Sequence, residues 1–503
     1  MHGAKRSWLA AIAAIAMVVC GAFGCGGDDD AGQGGAAGQG GTAGQGGTAG
    51  QGGSISGELA SSVSRHGITF TFDGEYEVGQ FANGDWWVVG PVTLTALAPD
   101  FDGQHHGWEV NPTFEGSQGF DERAGSFDAA LVPSLPFEAQ PGSSVVKAES
   151  VDLAEVDPRP SLQTAAVLTV VDETPPDLGA AVFRPPYVGA DKPYYEVADL
   201  RTDLLPAYAA VADMPDLDSV HERFEPVQLD HKGGAVGRQL HPADTMPDYG
   251  ADIGRDNADA ALRLMIDDSL DDRMPLLIVY VQYGIDLYHM MLDGHTWPAG
   301  GGHRPGQKLP LTFAATLLDH QGMGDAIAAA TFFHEDNGVN HSDTAGRALF
   351  GFNNQYWSED AYWQTIITGD GFKSHFDPYG YIDGGLEPGG SYQFCCITQP
   401  WKGSALALHL LSDMKTIWDD AVFFEYIDRW VTEGAFTQPD PCAPFDGNAA
   451  NYGVTYGPDG SGGCIQDTDS SDGTGRFPAK HQTAIDDGYR KSAFQTAMWD
   501  AYR

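Results

Sequence analysis

The sequence predicts an α+β multidomain protein, in which an N-terminal antiparallel β-sandwich precedes a mainly helical α/α toroid. Two observations carry that expectation. Between Ser64 and Asp177 apolar residues alternate with polar ones in short runs separated by turn residues, the period of strands. Beyond residue 181 the apolar stretches lengthen to helical size and are joined by Gly/Pro-rich loops. A third observation, a low-complexity segment ahead of both, sets the folded body apart from its N-terminus.

Residues 1–25 read as a lipoprotein signal. Lys5 and Arg6 precede an apolar run from Trp8 to Val19, too short for a comfortable membrane span, and a small-residue stretch ends at Cys25. The stretch before Cys25 resembles a bacterial lipobox, whose cysteine becomes a lipidated N-terminus, although Ala22 and Phe23 depart from its usual residues. The expected location is the cell envelope, lipid-anchored at the outer membrane or cell surface, with plain secretion as the alternative. Residues 26–57 form a tether in which Gly-Gln-Gly-Gly-(Ala/Thr)-Ala recurs every six residues. With almost no apolar side chain larger than alanine it cannot offset chain entropy, and as a coil it reaches roughly 25–30 Å.

The β-domain is expected over 58–180. Ile68, Phe70 and Phe72 alternate, Asp73-Gly74 predicts a turn, Trp86–Val89 is a strand stopped by Gly90-Pro91, and Val92-Thr93-Leu94-Thr95 follows. Ser144–Val146 and Ala165–Val171 continue the pattern. The helical domain is expected over 181–503, with helices at 256–270, 274–292, 309–320, 324–333, 404–414 and 417–431. Several are apolar around most of their circumference, as in Leu276–Val281, so they pack on two sides.

A formal charge of −43, from 27 basic and 70 acidic residues, excludes nucleic acid as a partner and limits membrane contact to the lipid anchor. Of six cysteines, Cys20 and Cys25 belong to the signal region. Cys442 and Cys464 bracket a Gly/Pro/Asp-rich loop and are expected to pair, whereas Cys395 and Cys396 could form a vicinal disulfide or cross-link separately. There is no GxSxG elbow, Walker A loop or Rossmann fingerprint.

Four stretches resemble motifs of large bacterial envelope proteins that combine a β-domain with a helical toroid. They are Arg238–Gly250 with His241, Tyr283–Tyr288, Trp297–Pro310 with His303 and Arg304, and Cys395–Trp401. Such proteins are similar in architecture to the heparinase II/III and alginate lyase group of polysaccharide lyases. The resemblance implies a carbohydrate-active protein, and most directly a lyase that cleaves a uronate-containing glycan by β-elimination. The alternatives are a glycoside hydrolase on the same toroid and a non-catalytic glycan-binding lipoprotein.

Elimination needs a neutraliser for the uronate carboxylate, a base for the C5 proton and an acid for the leaving oxygen. His303 and Arg304 follow three glycines ahead of a helix N-terminus, a setting that suits an anion; capping and bracing that helix is the alternative role. Asn340 and His341, in the densest polar cluster of the chain, could neutralise and deprotonate a uronate. In the same cluster His334, Glu335 and Asp336 could hold a divalent metal, although their spacing matches neither HExxH nor an EF-hand loop. Tyr249 and Tyr392 stand in loop contexts suited to a catalytic acid. Arg238, His241, Trp297, Trp357 and Trp401 are candidate substrate contacts, the tryptophans through their flat apolar faces, which burial would explain equally well.

Overall fold

The computed structural model describes residues 57–113, 116–229, 240–245, 247, 249–298, 302–342, 347–350, 397–433, 455–458, 464–466 and 492–503. The signal, most of the tether, Cys25, Arg238, Trp357, Tyr392, Cys395, Cys396 and Cys442 lie outside them, and Cys464 is described only as the first residue of a short strand. Residues Ile55–Arg503 form one compact unit.

The alternating stretch builds eight strands: β1 (Glu58–Arg65), β2 (Ile68–Gln80), β3 (Trp86–Val89), β4 (Val92–Ala98), β5 (Trp108–Val110), β6 (Phe137–Ala139), β7 (Ser143–Ser150) and β8 (Leu162–Val171). They form a single sheet in the order β5-β7-β8-β3-β2-β4-β6, with β1 also on β2. Every pairing is antiparallel except β3 with β8, which is parallel, so the sheet is mixed. Its two ends meet: Trp108 of β5 packs edge-on against Phe137 of β6 with centroids 5.5 Å apart, which curls the sheet into a half-barrel. Where the sequence predicts two antiparallel layers, one curled sheet covers its own concave face. Side chains from all eight strands fill that face, among them Val63, Phe70, Val88, Leu94, Trp108, Ala139, Val145 and Leu168.

Asp73-Gly74 is not a turn. β2 runs through it, pairing with β4 over its first half and β3 over its second. Irregular register with β1 and β4 near Ala60–Ser62 and Thr71–Phe72 gives the bend that the strand needs to change partners.

The β7–β8 pair is buried on both faces. Val145, Ala166 and Leu168 point into the half-barrel, while Val146, Ala165 and Val167 join the core of the helical region. That explains why these strands read as nearly continuous apolar runs.

The helical region comprises α1 (Leu217–Phe224), α2 (Gly250–Arg263), α3 (Leu270–Leu292), α4 (Lys308–Leu317), α5 (Gln321–Ala329) and α6 (His334–Gly338). A hairpin of β9 (Val339–Ser342) and β10 (Arg347–Phe350) precedes α7 (Thr398–Leu410), α8 (Asp413–Trp418), α9 (Ala421–Glu433) and α10 (Ala493–Tyr502). α3 starts where the Ser269 hydroxyl accepts from the Asp272 N–H at 3.1 Å, and it is buried along most of its length, as its apolar circumference predicts. Gly284 lets α3 lie directly on α4, since a Cβ there would come within 2.4 Å of the Ala314 Cβ. The run predicted as one helix over 417–431 divides at Asp419, whose left-handed φ of 48° ends α8, and the Asp420 carboxylate caps α9 through the Val422 and Phe423 N–H groups. Among the described residues no helix is long and apolar enough to cross a membrane.

Sheet and helices are tied by a buried ion network. Arg184, 1% exposed, donates to Asp85 of the β2–β3 turn at 2.7 Å and to Asp286 of α3 at 2.5 Å. Arg65 adds a second contact to Asp85 at 3.2 Å.

Candidate active site

The segment Gly302–Gly306, ahead of α4, lies on the start of α2. Gly302 donates its N–H to the Tyr249 hydroxyl at 3.1 Å, and its carbonyl accepts from the Ala251 N–H at 3.0 Å. Contact is so close that a Cβ on Gly250 would fall 2.2 Å from the His303 carbonyl oxygen. Gly306, at φ 107°, faces Gly254 in the same way, and its carbonyl accepts from the Asn257 amide at 3.1 Å. Glycine on both sides is therefore a condition of the packing.

This packing brings together three residues nominated from sequence. The Tyr249 and His303 rings meet edge to face with centroids 5.3 Å apart, and both residues are half-buried. Arg304 follows, half-buried, with Nη1 donating to the Thr296 carbonyl at 2.9 Å. A phenol, an imidazole and a guanidinium thus sit on one short stretch of partly accessible surface.

Beneath them lies α6. Glu335, 1% exposed, accepts from the Gly306 N–H at 2.7 Å through Oε1, while Oε2 has no hydrogen-bond partner among the described residues. Burial pushes its carboxyl up to about 7, with the Gly306 N–H and Lys308 pulling the other way. Asp336 turns to Lys308, whose buried Nζ reaches Oδ1 at 2.5 Å and the Trp418 carbonyl at 3.1 Å, and stands 4.5 Å over the Trp418 ring. The Asp336 carboxyl is also raised by burial, against the pull of Lys308. His334, fully buried, stands edge-on to Trp401 at 5.3 Å.

The expectation of a metal held by His334, Glu335 and Asp336 therefore meets a different arrangement. One short helical turn sends the three side chains to three partners, and among the described residues no three His, Cys, Asp or Glu side chains could hold a metal ion together.

The remaining nominations separate. Asn340 and His341 lie on β9 opposite Leu349 and Ala348, with His341 exposed. His241 is 4% exposed in a segment docked on the start of β8, where the Ala243 N–H donates to the Leu162 carbonyl at 2.8 Å. Trp297 and Trp401 are core residues rather than sugar platforms. Trp297 is 1% exposed and stacks on Phe333 at 5.5 Å, and Trp401 is fully buried where Gly338 leaves room for its ring.

Sequence reasoning missed Lys308, although a lysine opening an apolar helix was a readable signal. It also missed a pair in which the half-buried Tyr195 hydroxyl lies 2.9 Å from Nε2 of the buried His289, with Tyr288 and His320 alongside. Burial lowers His289 to about 4, so its imidazole is neutral at ordinary pH.

No protein-family model, curated protein or solved structure matches this chain.

Proposed function

We propose that this chain is a surface-anchored polysaccharide lyase acting on a uronate-containing glycan, with Tyr249, His303 and Arg304 at its centre. The observation that supports the reading is the ring contact between Tyr249 and His303 with Arg304 beside them. In this scheme the Arg304 guanidinium neutralises the uronate carboxylate and so acidifies the C5 proton. The His303 imidazole takes that proton, the C5–H electron pair forms the C4–C5 double bond, and the C4–O bond breaks. Tyr249 gives its phenolic proton to the departing oxygen, and proton return from His303 to the neighbouring phenolate resets both groups. Glu335 acts from below by holding Gly306 and, through it, the loop that carries His303.

On the same reading the helices of 181–503 close into an α/α toroid, with the β-domain of 58–180 packed on it. Residues 26–57 tether the body to a lipidated Cys25. Purified protein is offered alginate, glucuronan, pectate, heparin-type and neutral glycans while far-ultraviolet absorbance and reducing ends are followed. A lyase yields both signals on a uronan, and His303→Gln lowers turnover by about 10²–10⁴-fold. Unchanged turnover in His303→Gln, or saturable binding without cleavage, overturns the scheme.

The raised carboxyl of Glu335 favours one second reading, a glycoside hydrolase, because an inverting or retaining acid needs such a shift. New reducing ends without ultraviolet absorbance would select it.

A further inference from the structure

The buried ion network leaves one neighbouring amine out. Arg184 donates to Asp85 and Asp286 and, through Nη1, to the Pro185 carbonyl at 2.8 Å. The next carbonyl, that of Pro186, accepts from Lys192 Nζ at 2.7 Å, and the Val188 carbonyl accepts from the same nitrogen at 3.3 Å. Two cationic side chains therefore hold successive carbonyls of one loop, which turns at Gly189 with φ 62°. Neither nearby carboxylate pairs with the lysine. Asp286 is committed to Arg184 and the Tyr187 N–H, and Asp191 is exposed. His289 is neutral and holds the Tyr195 hydroxyl, so it adds no counter-ion.

An ammonium in this place loses water, gains no ion-pair partner among the described residues and stands beside a buried guanidinium, and each of these favours the free amine. Burial, with Arg184 adding to it, brings Lys192 down to about 7, against the opposite pull of Asp286 and Asp191. A free amine has two N–H donors and one lone pair. The two carbonyls take both donors, so the lone pair is left for a ligand. Lys192 is half-buried, which leaves a small molecule a way in. Lys147 makes the contrast: burial brings it to about 7 as well, but it is 0% exposed, with Nζ donating to the His106 carbonyl.

We propose that Lys192 is a carbonyl-binding site, whose ε-amine condenses with a small uncharged aldehyde to form an imine. Desolvation and a neighbouring cation are the two devices that turn a lysine into such a nucleophile. The nitrogen lone pair forms the C–N bond while the carbonyl π pair moves to oxygen, and one N–H proton passes to that oxygen through water. The C–O bond then breaks with its electron pair leaving on the hydroxyl, which takes the second N–H proton and departs as water. Amine and aldehyde enter, imine and water result, and no oxidant or reductant is needed. An aldehyde carrying a carboxylate or phosphate would meet Asp191 and find the Arg184 guanidinium already committed.

The test treats the full chain with butanal and cyanoborohydride, which reduces an imine to a stable butylamine, and follows each lysine by peptide mass mapping. At pH 7 Lys192 is expected to react on the order of 10²-fold faster than lysines of ordinary basicity, the α-amino group set aside. Its rate levels off above about pH 7, where theirs keeps rising. Lys147 stays unmodified, and 4-oxobutanoate, the anionic counterpart of butanal, reacts more slowly at Lys192. Lys192→Arg keeps donors for both carbonyls and removes the fast phase with the thermal transition in place. Modification of Lys192 no faster than that of ordinary lysines overturns the proposal. So does modification of Lys147 at the same rate, an equal rate with 4-oxobutanoate, or a fast phase that survives in Lys192→Arg.

Discussion

Two groups of buried ions occupy the same compact unit and are treated differently by the fold. At the junction of sheet and helices, Arg184 spends its fork on Asp85 and Asp286, Arg65 supports Asp85, and Asn83 donates to the same carboxylate at 2.8 Å. Under the Tyr249–His303 contact, Lys308 is matched by Asp336, but Glu335 is equally buried, has no ion-pair partner among the described residues and accepts from the Gly306 backbone N–H. The first group is close to neutral and links elements far apart in sequence. The second leaves a carboxyl poised near neutrality beside half-exposed acid–base residues, a pattern more typical of sites than of struts.

The largest effect expected from this contrast is at the junction. Arg184→Met leaves Asp85 and Asp286 buried without their shared cation, at a cost of about 3–5 kcal/mol in urea unfolding. Adding Asp286→Leu recovers part of the loss, because Asp85 keeps Arg65 and Asn83 while the other stranded charge is gone. A loss below about 1 kcal/mol in Arg184→Met would erase the distinction between strut and site.

Glu335 gives the next effect, through pH. Its folded-state carboxyl, about 7, lies above its ordinary value of 4.5 because burial penalises the charged form. Its contribution is thus fully present below about 4.5 and is lost as the pH rises through about 7, on the order of 3 kcal/mol in all. Asp259, raised by burial to about 6, titrates in the same window, so the readout is the difference between the parent and Glu335→Gln. The glutamine oxygen still accepts from Gly306, and the variant gains on the parent as pH rises from 5 to 8. Parallel stability curves would show that Glu335 is ionised at no cost.

Much of the architecture was legible because burial and period coincide. Ile68, Phe70 and Phe72 alternate and all three are buried, while Leu276–Val281 is apolar all round and lies in the middle of the helical core. Closure of the sheet was not legible: it rests on Trp108 meeting Phe137 from opposite ends of the strand order, a contact that local pattern does not encode. The Asp73-Gly74 turn failed because turn chemistry is also bend chemistry when a strand changes partners. At the site, the glycines ahead of His303 and Arg304 suggested a setting for an anion, whereas the close backbone approach in the structure runs from His303 to Gly306 and is received by Gly250 and Gly254 of α2. The polar run at His334–Asp336 suggested a shared ligand, but sequence adjacency on a helical turn sends side chains apart. Trp297 and Trp401 show the matching ambiguity for aromatics, whose faces suit a sugar and a core equally well.

The smallest effect separates positioning from chemistry at Tyr249. Its hydroxyl accepts from the Gly302 N–H, and its ring packs on His303. Tyr249→Phe keeps the ring and removes one hydrogen bond to a half-buried backbone group, so stability falls by only about 1 kcal/mol. If the hydroxyl served only to hold Gly302, turnover on a responsive uronan would fall no further than that small shift allows. If it is the acid for the leaving oxygen, turnover falls by about 10²–10⁴-fold, and most steeply for substrates with poor leaving groups. A glycan bearing an activated aryl leaving group needs no proton from the enzyme, so its cleavage by Tyr249→Phe should stay close to that of the parent. Equal loss on both substrates would assign Tyr249 to the loop rather than to the reaction.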